Sequence, residues 1–354
     1  MGHKVLKSKV RLSLLFISLT AALLAFMFVA LIFGSTKIGL KELGDILLSA
    51  LPWHMGGTGA SVDPTAVTII FDVRFPRVLM AAITGAGLAL VGAVYQGFFR
   101  NPMADPFMLG MSSGAAFGAS LAIITGLDAV LFFGVGLVSV FAFVGAALTS
   151  VVVYMVANSG YRRQKVTILL AGIAISFFLS AFVSLFMVFS HGGMQKIVFW
   201  TMGGLGGASY KQLIIIFPVV LIAGVGLMFF SRDLNVLSLG DDTARSLGVE
   251  VDRMNLPVLA LSSLIIAVCV SFTGVIGFVG LIIPHVIRLI AGPDHRTLLP
   301  LSALGGAVFM VITDLLARTV ATPAEIPVGA VTALVGSPYF IWLLLRSNKG
   351  GALK

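Results

Sequence analysis

The sequence predicts an all-α integral membrane protein, a single transmembrane domain over residues 1–354. Three observations predict it. Apolar and aromatic residues make up 58% of the chain and charged residues 10%, against about 25% charge in a soluble domain. Mean hydropathy is +1.09, so there is too little polar surface to cover the chain in water, and lipid must solvate it. The apolar residues also come in runs near the ~20 residues that a helix needs to cross a bilayer. The single cysteine, Cys269, excludes a disulfide framework and a cysteine-held metal centre. The net charge of +9 reads as basic residues retained on the cytoplasmic side, with no nucleic acid implied.

Apolar runs at 12–33, 75–97, 107–125, 130–157, 166–189, 211–230, 254–272, 275–290, 300–320 and 328–345 predict ten transmembrane helices. The first follows a basic lead (Lys4, Lys7, Lys9, Arg11). Its apolar stretch exceeds the roughly 7–15 residues of a signal core, so it reads as a retained helix. The second carries Gly85, Ala89, Ala93 and Gly97 at every fourth position, and the third carries Gly110, Gly114 and Gly118. Such stripes let helix backbones approach where lipid provides no hydrophobic drive. The fifth is mildly polar, with Ser176, Ser180 and Ser184. The run 254–290 is too long for one crossing, and Thr273-Gly274 offers the break. Pro284 makes the eighth helix short or irregular, and Gly274, Gly277 and Gly280 extend the small-residue pattern there.

Ten crossings put both termini on one side. With the N-terminus inside, only Lys37, Lys41, Arg74, Arg77, Lys196, Lys211 and Arg318 of the 23 basic residues fall outside. That bias predicts N-in and C-in. Ten helices divide into two inverted five-helix halves, although residues 92–102 and 274–285 echo each other only loosely.

Two loops are substantial. The outer one, about 34–73, contains Gly56, Gly57, Gly59 and Pro64. The inner one includes residues 234–250, where Leu234, Leu237 and Leu239 lead to Gly240. Asp241 and Asp242 then open a short helix through Ala244 and Leu247 to Gly248. Acids favour the start of a helix and glycine its end. So short a helix is marginal alone, so it packs on its own bundle or on a partner.

Chemistry-bearing motifs are scarce. There is no phosphate-cradling G-x-x-x-x-G-K-[ST], no H-E-x-x-H and no G-x-S-x-G. His3, His54, His191, His285 and His295 are scattered, and Asp241-Asp242 lacks a second acidic cluster. No catalytic residue and no metal site are predicted. One acid lies inside a span, Asp314, with Arg318 four residues on, which predicts an intramembrane ion pair. A proton or ion relay is the alternative, and it needs further buried carboxylates.

Several long motifs occur in order: RFPRVLMAAITGAGLALVGAVYQGFFRNPMADPFMLGMSSGAAFG at 74–118, LLAGIAIS at 169–176, WTMGGLGG at 200–207, LSLGDDTARSLGV at 237–249, GVIGFVGLIIPHVIRLIAGPDHRTLLPLSALGGA at 274–307 and TDLLARTVATPAEIPVGAVTALVGSPYFIWLLL at 313–345. Through them the chain resembles, over nearly its full length, the membrane subunit of ATP-binding-cassette importers for iron–siderophores, haem and cobalamin. The resemblance implies a bacterial or archaeal cell (inner) membrane and alternating access. It implies a second permease subunit, identical or closely homologous, and an extracytoplasmic substrate-binding protein. Two cytoplasmic ATPase subunits would hold ATP and Mg, with no cofactor in this chain. Leu239, Gly240, Ala244, Leu247 and Gly248 match the element that couples to the ATPase. Arg74, Arg77 and Arg318 match arginines at the outer face that pair with glutamates of the binding protein. Ser176, Ser180, Ser184 and Met187 match the pathway-lining helix. A secondary transporter would need more intramembrane charges, and a membrane enzyme would need clustered Asp, His or Arg.

Overall fold

The computed structural model describes residues 2–34, 39–49, 63–129, 131–132, 135–159, 164–190 and 192–350. Almost everything described is helical: α1 (Gly2–Ile32), α2 (Leu40–Ser49), α3 (Pro64–Thr68), α4 (Phe75–Phe98), α5 (Met111–Ile124), α6 (Leu137–Asn158), α7 (Gln164–Phe189), α8 (Met194–Thr201), α9 (Tyr210–Phe229), α10 (Ser231–Leu237), α11 (Asp241–Ser246), α12 (Val251–Thr273), α13 (Val279–Ala291), α14 (His295–Thr319) and α15 (Val328–Gly350). A two-residue antiparallel ladder pairs Leu131–Phe132 with Val135–Gly136. Among the described residues, seven helical stretches are long and apolar enough to cross a membrane, and Met111–Ile124, Val279–Ala291 and Val328–Leu343 are shorter apolar helices.

The expected loop over 34–73 is partly helical. Leu43 and Ile46 bury one face of α2. Asp63 caps α3 by accepting from the Thr65 N–H, and a π turn over Ile69–Arg74 runs straight into α4. Lys37, His54, Gly56, Gly57 and Gly59 lie outside the described residues, as does His191. The expected break at Thr273-Gly274 is present, with Gly274 at φ +67° ending α12.

Burial separates a centre from a periphery. In the most apolar window of each stretch, 78% of Pro64–Phe98, 67% of Val251–Thr273 and 61% of His295–Thr319 is buried, against 22% of Lys165–Phe189 and 17% of Val10–Ile32. The centre is therefore α4, α12 and α14. The outward faces of α6, α7 and α9 are apolar, with Leu148, Phe177 and Ile222 exposed, as expected of helices solvated by lipid or by another membrane subunit.

Small residues draw the centre together. Gly85 of α4 lies against the Gly306 carbonyl of α14, and Gly92 lies against the backbone of Gly280 in α13. Gly114 of α5 lies 2.6 Å, measured from the site of an added Cβ, from the Gly145 carbonyl of α6, and Gly118 lies against the Phe141 carbonyl. No Cβ fits at these crossings, and dispersion between touching backbones replaces the hydrophobic drive that lipid removes. Two of the expected stripe glycines sit at helix ends and still admit a neighbouring backbone: Gly110, a left-handed cap at φ +75°, lies against the Gly172 carbonyl of α7, and Gly274, which ends α12, lies against the Trp200 carbonyl. The stripe needs one correction, at Gly277, where an added Cβ would meet nothing within 4 Å. Spacing by threes misled there because α13 starts only at Val279.

Candidate functional site

Two polar clusters stand at opposite ends of α4, whose 24 residues span about 36 Å at 1.5 Å per residue. The first gathers where α1 ends. A helix leaves its last carbonyls without intrahelical donors, and cations suit that end of the dipole. Here two arginines supply the donors. Arg74 Nη1 donates to the Leu31 and Ile32 carbonyls at 2.6 and 2.7 Å. Arg318 Nη2 donates to the Ala30 carbonyl at 2.7 Å. Arg77 Nε meets Asp314 Oδ1 at 2.9 Å, and its Nη1 meets both oxygens of Glu325 at 3.0 and 2.9 Å. Arg318 Nε lies 3.5 Å from Asp314 Oδ2.

The expected Asp314–Arg318 pair is thus present, but the nearer partner is Arg77, 237 positions away. The three arginines matched to an outer docking face are buried, at 4%, 6% and 3% exposure for Arg74, Arg77 and Arg318. Their guanidinium groups serve the helix end and the two carboxylates. The reachable member of the cluster is Glu325, whose side chain is 45% exposed.

The second cluster is the loop over 234–250. Leu234 and Leu237 anchor α10 in the core and Ala244 anchors α11, while Leu239 and Leu247 are 66% and 63% exposed. Gly240, at φ +119°, makes the turn between the two helices. Gly248, at φ +86°, closes α11. The Gly248 N–H donates to the Arg245 carbonyl and the Val249 N–H to the Ala244 carbonyl, which is the Schellman pattern expected of glycine after a helix. The expected short helix, opened by Asp241 and Asp242 and closed by Gly248, is present; of the residues matched to the coupling element, Leu239 and Leu247 face outward, whereas Ala244 is buried and holds α11 to the bundle.

The loop is braced from behind. Asn235 of α10 donates to Asp294 Oδ1 at 2.7 Å and accepts from the His295 backbone N–H at 2.8 Å. Asp294 in turn caps α14 through the Arg296 N–H at 3.0 Å. Burial works to raise the Asp294 carboxyl, yet the hydrogen bonds from Arg296 and Asn235, together with the neighbouring positive charge, hold it below the usual carboxylate range. Asp241 Oδ1 lies 2.9 Å from Lys165 Nζ in the first turn of α7 and 3.5 Å from Arg100 Nη2 just past α4. Arg100, Lys165, Asn235 and Glu325 act across long-range contacts that leave no sequence signal, whereas Asp294 is a local helix cap whose bond to Asn235 is the part that spacing could not reveal.

The four residues expected on a pathway divide. Ser180 and Ser184 lie on the open face of α7 with Ile173, Phe177 and Val188. Ser180 Oγ is 3.2 Å from Ser113 Oγ, and Ser184 donates back to the Ser180 carbonyl at 3.0 Å. Ser176 is half-buried and donates to the Gly172 carbonyl at 2.7 Å. Met187 turns inward against Ala116, Ile123, Val183 and Ile197. Among the described residues, no group of three His, Cys, Asp or Glu could hold a metal.

A model of the FecCD transport family matches residues 22–346. The cobalamin import system permease protein of Halobacterium salinarum is 43% identical over 305 residues, 84% of this chain and 81% of its own. The molybdate import system permease protein of Haemophilus influenzae is 36% identical, over 94% of this chain and 96% of its own. A solved inward-facing transporter described as metal-chelate type is 34% identical, with a TM-score of 0.80 over 94% of this chain and 99% of that one.

Proposed function

The chain belongs to the FecCD transport family, and we propose that, with a second permease subunit, it forms the conduit of an ATP-driven importer of bulky metal chelates. It is a permease subunit of the ABC type and not itself an enzyme. ATP and Mg belong to two cytoplasmic partner subunits. The cargo is an iron–siderophore, haem or cobalamin-type complex, delivered by an extracytoplasmic binding protein and moved by alternating access across the bacterial or archaeal inner membrane. The seven long spans and three shorter apolar helices support ten crossings; the N-in and C-in orientation rests on the distribution of basic residues, and ten crossings divide into two inverted halves.

One observation carries the proposal. A braced helix pair presents Leu239 and Leu247 to solvent, on a chain without a phosphate-cradling motif of its own. Two outward leucines on a rigid turn suit a groove in another protein. Docking of the binding protein falls to the cluster of Arg74, Arg77 and Arg318. Because all three are buried, docking requires the exposed carboxylate of Glu325 to yield Arg77.

A small oxyanion is the second reading, favoured by the relative named for molybdate. The pathway face of α7 speaks against it. No Lys or Arg occurs between positions 166 and 195, and the hydroxyls of Ser176 and Ser184 are engaged with their own helix. An unpaired dianion there would lose hydration without compensation. A chelate with an apolar exterior meets walls that bind it weakly and let it leave. The test is uptake into vesicles holding the complete transporter, with cyanocobalamin, hemin and a ferric hydroxamate set against labelled molybdate. Accumulation of molybdate alone overturns the cargo. Uptake of any of them by this chain without ATPase subunits overturns the whole reading.

A further inference from the structure

Arg100 has a positive φ of 51°, an uncommon backbone for a residue with a side chain. It occupies the position after α4 where helices commonly place glycine. Its N–H donates to the Gly97 carbonyl and the next N–H, of Asn101, to the Gln96 carbonyl, so the turn itself would suit glycine. What glycine could not supply is the guanidinium, which reaches Asp241 at 3.5 Å. The same oxygen of Asp241 holds Lys165 Nζ at 2.9 Å, and Lys165 also stands 5.0 Å above the Phe98 ring at the end of α4. One carboxylate on the exposed loop thus binds the end of α4 and the first turn of α7.

The remaining attachments of the loop lead elsewhere. Asn235 fixes α10 to the start of α14, and α14 is joined to α4 backbone to backbone at Gly85 and Gly306. That body is close-packed and leaves little slack. The helix α7 has a largely open outward face. A displacement of the loop therefore meets a stiff body through Asn235 and through the Arg100 contact of Asp241, and a freer helix through the Lys165 contact of Asp241.

We propose that Asp241, gripped by Lys165 and Arg100, is the positioning residue that transmits movement of the 234–250 loop to α7. The inference rests on the reading of this loop as the contact with the ATPase. Arg100 keeps a strained backbone because its side chain is needed for transmission, and strain held for function is released by substitution.

The experiment uses the complete transporter in vesicles, with uptake per ATP hydrolysed and thermal unfolding measured for each variant. Arg100→Gly is expected to unfold at the wild-type temperature or above it while losing about fivefold or more in uptake per ATP. Asp241→Asn and Lys165→Met should lose as much, and Lys165→Arg should restore it. A merely structural role predicts the reverse for Arg100→Gly, lower stability with unchanged coupling. Uptake per ATP within about twofold of wild type in both Arg100→Gly and Asp241→Asn overturns the proposal, since real coupling carries more than that. Leu247→Arg separates the two layers. If it leaves ATPase co-purification and uptake intact, the contact reading fails and this inference falls with it.

Discussion

The two clusters at the ends of α4 use the same materials to opposite effect. Each sets arginine or lysine around a carboxylate contributed by another helix. At the α1 end the Arg77 and Asp314 side chains are 7% and 1% exposed, and every guanidinium in the set also serves a backbone carbonyl or a second carboxylate. At the loop end, Asp241 and Arg100 are 35% and 43% exposed, and two leucines face outward beside them. Low dielectric makes the first set costly to break. Water weakens the second, so it can yield and re-form. One end is welded, and the other is jointed.

Removing the weld should have the largest effect. Asp314→Asn leaves Arg77 and Arg318 buried with one carboxylate, Glu325, between them, and breaking such a set costs about 3–5 kcal/mol. Thermal unfolding in detergent reads it directly. Stable Asp314→Asn protein without transport would instead mark an ion relay and end the comparison. Leu247→Arg sharpens the other side. The side chain is exposed, so unfolding should not change, whereas ATPase affinity should fall by roughly 2 kcal/mol or more, as at a hot spot. Equal loss of stability and affinity would show that the loop is part of the weld.

Glu325→Gln should cost at most about 1 kcal/mol, since its partner interaction is half in water. If Glu325 yields Arg77 on docking, the same variant binds the substrate-binding protein more tightly at low salt. Weaker binding would make Glu325 a docking residue itself. The smallest effect belongs to Arg245→Ala. Its bond to Asp252 spans 3.0 Å between side chains 55% and 65% exposed, so stability should shift by well under about 1 kcal/mol. A larger shift in urea titration would mean that the jointed end is stiffer than its exposure suggests.

What could be read from the residues follows the range of each interaction. Hydropathy marks the spans, because a helix satisfies its own backbone and its length is set by the bilayer. The loop was legible down to Gly240 and Gly248, because turns and caps are local. The break at Thr273-Gly274 was legible for the same reason. Asp314 announced itself as an acid among apolar neighbours, yet its best partner lies on another helix, and no spacing reveals that. The burial of Arg74, Arg77 and Arg318 was hidden likewise, since it depends on where α1 stops. The amphipathic α2 was lost in a stretch read by its glycines, and Gly277 was misread because a stripe by threes presumes an unbroken helix.

The crossing of Gly92 with Gly280 carries one more consequence. Two main chains in direct apposition form a key without tolerance, so even a single methyl group should be refused there. In a library of all single substitutions, that site should stand out as an empty column. The exposed apolar surface of α9 should accept almost any greasy replacement. Survival under mutation would then draw an outline of the hidden seam from biology alone.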